Sequence, residues 1–90
     1  MADVEKLEAD TGVESRVRGV LGDVFGIDPA TIDDDTSKDT VEGWDSLQHL
    51  TLVLSLEEEF DIHFDDEESV SLVTYPLIVA TVGDRLLHQP

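Results

Sequence analysis

Apolar residues recur along this chain at the spacing of helix faces. Val13, Val17, Val20, Leu21, Val24 and Phe25 follow one another at intervals of three, four and one, which makes one stripe on a helix. Arg16, Arg18 and Asp23 fall away from it. Thr11 stands three residues before Glu14, as in a capping box, and Gly26 sits where a left-handed residue would close the helix. The pattern therefore predicts a first helix over residues 11–25. Residues 1–10 form an N-terminal extension that either continues this helix or frays.

A second helix is expected to open at Gly43-Trp44-Asp45-Ser46 and to run to about Phe60. Asp45 suits an N-cap, and Gln48 three residues later can complete a box. At about 100° per residue, Leu52, Val53, Leu56 and Phe60 gather on one side. Leu47, Leu50 and Leu54 gather on roughly the opposite side, interleaved with Thr51, Glu57 and Glu58. A small domain has one core, so the stripe mixed with glutamates is expected to be exposed, as a protein-docking face is.

The remaining segments are shorter. Residues 26–45 read as a long first loop, with Pro29 in a turn and Ile27 and Ile32 as apolar anchors. Its Asp33-Asp34-Asp35 run lacks the alternation of a calcium loop and reads as a solvated acidic segment, so no metal site is expected. Asp61-Ile62-His63-Phe64 reads as a short extended piece, followed by an acidic turn. The apolar region from Val70 to Val79 could form a strand, but a short irregular helix broken by Pro76 fits better. A last helix is expected from about Thr81, where Thr81 and Asp84 resemble a capping pair, to Leu87. The fold class is all-α: a small four-helix bundle of three main helices and one short one.

Composition narrows the functional classes. Ninety residues suffice for one compact domain and leave little room for a deep active site. Twenty-two acidic residues against five Lys and Arg give a net charge of -17. That charge argues against nucleic acid and anionic membranes and favours partners with basic surfaces, approached under electrostatic steering. No cysteine is present, so disulfides and thiolate chemistry are excluded. The polar, acidic first residues and the absence of a spanning apolar run lead us to expect a cytoplasmic monomer without membrane insertion.

Catalysis finds little support. His49, His63 and His88 stand on separate elements and make no metal-binding pair. Ser46 and His49 are close along one helix, but nothing supplies an oxyanion hole or a cleft. Ser46 is better suited to being modified. It lies directly after the N-cap, where backbone N–H groups lack partners and the helix dipole is positive, so an attached phosphodiester would be stabilised there.

Gly43-Trp44-Asp45-Ser46-Leu47, with Leu50, the run Leu56-Glu57-Glu58-Glu59-Phe60 and the later Thr81-Val82-Gly83-Asp84, resembles the acyl carrier protein family. The resemblance covers Val13 to Leu87 and makes residues 11–90 the carrier domain. It implies that Ser46 carries 4′-phosphopantetheine, received from a phosphopantetheinyl transferase that uses coenzyme A and magnesium. Asp45 would cap the helix and lie near the transferase's metal. Leu47, Leu50 and Leu54 would form the docking strip, with Glu57 and Glu58 meeting basic residues of acyl-loading and acyl-processing enzymes of fatty-acid or polyketide synthesis. The protein would be a carrier without catalysis of its own. Trp44 before Asp-Ser-Leu and His49 after it look more like discrete carriers of specialised pathways. An aminoacyl or peptidyl carrier, and an unmodified acidic interaction module, remain alternatives. His49 is expected on the helix surface near the arm.

Overall fold

The computed structural model describes the backbone of residues 2–87 and the side chains of residues 12–87. Four helices follow in order: α1 (Ala2–Phe25), α2 (Ser46–Phe60), α3 (Asp66–Ser71) and α4 (Tyr75–Leu87), with a 3₁₀ turn at Pro29–Thr31. Among the described residues there is no strand, and the expected helical bundle with a long first loop is what the chain forms.

Two later helices start elsewhere than the sequence reading placed them. α3 occupies Asp66–Ser71, where an acidic turn was expected, because Asp65 and Glu68 form a capping box that starts a helix there. The region from Val70 to Val79 holds no separate short helix broken by Pro76. Of the two courses left open for the N-terminal extension, the backbone takes the first: α1 starts at Ala2 and runs through Thr11. The preceding stretch is rich in Ala, Glu, Lys and Leu, which favour helix without a cap at Thr11. α4 begins at Tyr75 and not near Thr81. Pro76 does not break a helix there: it occupies the first turn, where its missing N–H has no helical partner to lose. The Thr74 hydroxyl accepts from the Leu77 N–H at 3.2 Å and its carbonyl from the Ile78 N–H at 3.0 Å, so Thr74 caps the helix that Thr81 was expected to start. Of the residues singled out in the sequence, His88 lies outside the described ones.

Gly26 closes α1 as expected. It adopts φ 66°, and the Ile27 N–H returns to the Gly22 carbonyl at 3.1 Å. That return brings Ile27 O to 2.8 Å from where a Cβ on Gly22 would stand, so Gly22 is held to glycine by its backbone neighbour.

The core joins α1, α2, α4 and the chain that follows α3. Val17 and Leu21 of α1, Leu52 and Leu56 of α2, Leu72 after α3, and Ile78 and Val82 of α4 are fully buried. Arg18 closes one edge, its Nη1 donating to the Tyr75 hydroxyl at 2.8 Å. The first loop is not structureless. Ile32, Thr36 and Trp44 are buried, and a single antiparallel bridge joins Ser37 to Thr74. Around it the Lys38 N–H donates to Val73 O at 2.8 Å and the Tyr75 N–H to Thr36 O at 2.9 Å. The middle of the loop is thereby pinned to the junction of α3 and α4.

Candidate functional site

Ser46 is delivered to the surface by the four residues before and around it. Gly43 turns the chain with φ 88°, a conformation that side chains disfavour. Trp44 then plunges into the core and packs its ring 4.8 Å from that of Phe25. Asp45 is extended and caps α2: its Oδ1 accepts the Gln48 N–H at 2.9 Å, and its carbonyl accepts the His49 N–H at 2.8 Å. The box is only half formed. Gln48 does not reach back to Asp45; its Nε2 donates instead to Val24 O, an open carbonyl in the last turn of α1, at 3.0 Å.

His49 lies beside Ser46 as expected but is less exposed than a free helix-surface residue. Its ring is half-buried between two partners, with Trp44 Nε1 at 3.1 Å from Nδ1 and Ser69 O at 2.7 Å from Nε2. An indole N–H only donates and a carbonyl only accepts, so Nδ1 is the acceptor and the proton sits on Nε2. Both nitrogens are engaged, which leaves neither to act as a base toward Ser46. The ring instead ties the start of α2 to α3. Lys38, Ser46, His49, Val70 and Val73 line a hollow of about 310 Å³ beside this tie.

The residues expected on the docking face separate into two kinds. Leu47, Leu50 and Leu54 are 72%, 56% and 56% exposed, whereas Leu52 and Leu56 of the same helix are fully buried. Glu58 is exposed beside the strip. Glu57 is not equivalent to it. Its side chain is only 17% exposed, its Oε2 accepts the Phe64 N–H at 2.8 Å, and His63 Nδ1 lies 3.3 Å away. The Glu57 carboxylate secures the turn after α2, a partnership across seven residues that helical spacing does not reveal.

Ser46 fits a phosphodiester. Its side chain is exposed, and among the described residues its hydroxyl makes no hydrogen bond. The N–H groups of Ser46 and Leu47 are likewise open, since Asp45 serves only those of Gln48 and His49. A group attached to Oγ would meet two free donors and the positive end of α2, with the hollow on one side and solvent on the other.

The fold and this geometry are those of a small helical carrier. The family described as the phosphopantetheine attachment site matches residues 15–81. An acyl carrier protein of Akkermansia muciniphila is 32% identical over 74 residues, which cover 82% of this chain and 92% of that one. The chain belongs to the acyl carrier protein family of phosphopantetheine-binding carriers. It is a carrier protein whose family holds a covalent 4′-phosphopantetheine, does no catalysis of its own and works with transferases and biosynthetic enzymes.

Proposed function

We propose that this protein carries acyl intermediates as thioesters on a 4′-phosphopantetheine arm attached to Ser46, and presents them to enzymes of fatty-acid, polyketide or related synthesis. The observation that carries the reading is the exposed Ser46 hydroxyl in the first turn of an Asp45-capped helix that also bears an exposed leucine strip. The carrier domain is assigned to residues 11–90, which contain the matched residues 15–81, and the protein to the cytoplasm. No described helix is long and apolar enough to cross a membrane.

The arm, once attached, supplies the thiol that holds the acyl group. Everything else falls to the chain. Asp45 fixes the first turn of α2, so that Ser46 Oγ meets the phosphopantetheinyl transferase in one orientation and lies near the metal of that enzyme. The open N–H groups of Ser46 and Leu47 face the charge that arrives. Leu47, Leu50 and Leu54 give partner enzymes an apolar grip, and Glu58 offers a carboxylate to their basic residues; Glu57, already engaged by Phe64, adds field more than contact. A mixed strip of this kind favours contacts weak enough to release, as a carrier that visits several enzymes requires.

Incubation with coenzyme A, magnesium and a phosphopantetheinyl transferase should add the mass of one arm, read by intact mass spectrometry, and Ser46→Ala should add none. Failure of the wild-type chain to gain the arm, or its gain by Ser46→Ala, would remove the proposal.

A further inference from the structure

The charge around Ser46 poses a problem that one residue answers. A chain of net charge -17 must accept a further anion when a phosphodiester is attached. Its described arginines are already engaged: Arg16 with Glu59 at 2.9 Å, Arg18 with Glu14 at 3.9 Å and with the Tyr75 hydroxyl, and Arg85 with Glu68. Lys38 is different. Among the described residues no carboxylate stands within ion-pair distance of its ammonium, although its neighbours in sequence include Asp35 and Asp39. Its backbone is fixed to the α3–α4 junction through the Val73 carbonyl, and it lines the same hollow as Ser46. The Lys38 backbone is thus held on the rim of the hollow from which a group on Ser46 Oγ leaves the protein, with its ammonium free to meet that group.

Resting on the attachment at Ser46, we infer that Lys38 is the counter-ion of the arm's phosphodiester. It positions the base of the arm over the hollow, toward Val70 and Val73, and away from the leucine strip. A carboxylate on the cargo is the other anion that Lys38 could meet. The phosphodiester is favoured because it is tethered at the edge of the hollow, whereas the cargo sits at the far end of a long arm. Lys38 acts through position and takes no part in chemistry. An exposed ion pair is weak, so its loss should change the ratio of seated to free arm by up to about fivefold.

The test uses the loaded protein with no acyl group, so that the phosphodiester is the only added anion. Wild type, Lys38→Gln and Lys38→Arg are loaded to completion, and their amide spectra are compared with those of the unloaded forms, whose agreement with one another checks the fold. Loading the wild type should shift the amides of Lys38 and Val73 as well as those next to Ser46. Lys38→Gln should lose the distant shifts and move the phosphorus resonance, and Lys38→Arg should restore both. Salt at 1 M, where screening acts within about 3 Å, should shrink the distant shifts in the wild type itself. Distant shifts and a phosphorus resonance indifferent to Lys38 and to salt would overturn this inference alone. A Lys38 effect seen only after loading a dicarboxylic acyl group would overturn it in favour of the cargo. A wild-type chain that never gains the arm would overturn the attachment at Ser46 and this inference with it.

Discussion

His49 sits between a group that can only donate and one that can only accept. Removing its ring strands both: Trp44 Nε1–H is left without a partner in a nearly buried indole, and Ser69 O loses its tie to α2. His49→Ala should therefore cost about 1–3 kcal/mol of stability, the penalty for an unpaired buried polar group. Urea unfolding followed by the fluorescence of Trp44, the chain's one tryptophan, reads that loss directly. An unchanged midpoint would show that the ring does not hold α3. At this scale the sequence was an uneven guide. Asp45, Ser46 and Gly26 were legible because caps and turn residues act on neighbours within a few positions. The roles of His49, Glu57 and Lys38 depend on Ser69, Phe64 and Val73, which only the folded chain brings close.

At the scale of the element, α2 has two apolar faces with opposite duties. Leu52 is fully buried, and Leu52→Ala should cost about 2–5 kcal/mol as the cavity fails to collapse. Leu50 is 56% exposed, and Leu50→Ser should change stability by no more than about 0.5 kcal/mol. The same Leu50→Ser should weaken loading by a transferase at limiting protein. Thermal melts paired with loading rates check both halves; equal stability losses would erase the distinction between faces. Periodicity made both faces of α2 readable from the sequence, since 3.6 residues per turn sorts them without reference to the rest of the chain. α4 was read less well. Proline suits the first turn of a helix and spoils its interior, and which of the two applies depends on whether Tyr75 opens a helix. That was decided by Thr74, whose hydroxyl and carbonyl supply the cap, and by the bridge from Ser37.

For the whole molecule, the net charge acts on folding and on docking with opposite signs. Repulsion among many exposed carboxylates opposes the compact state, and added salt screens it. The melting temperature should rise with sodium chloride concentration, while loading by a partner with a basic surface should slow over the same range. A melting temperature insensitive to salt would contradict the first; faster loading would contradict the second. The helical class was legible from patterning, because the apolar stripes of the first two helices carry helical period, whereas the region from Val70 to Val79 on its own could also have been a strand. The path of the first loop was not, since its anchors at Ile32, Thr36 and Trp44 are scattered and its bridge reaches across the chain to Thr74. That bridge also bears on how the molecule opens. Cutting it releases the middle of the first loop from the α3–α4 junction, while α2 stays packed on α1 and no hydrogen bond within a helix is broken. The amides of Lys38 and Tyr75, far apart in sequence, should then exchange with deuterium at one common rate, faster than those of α1 and α2, as a single cooperative hinge on the molecule.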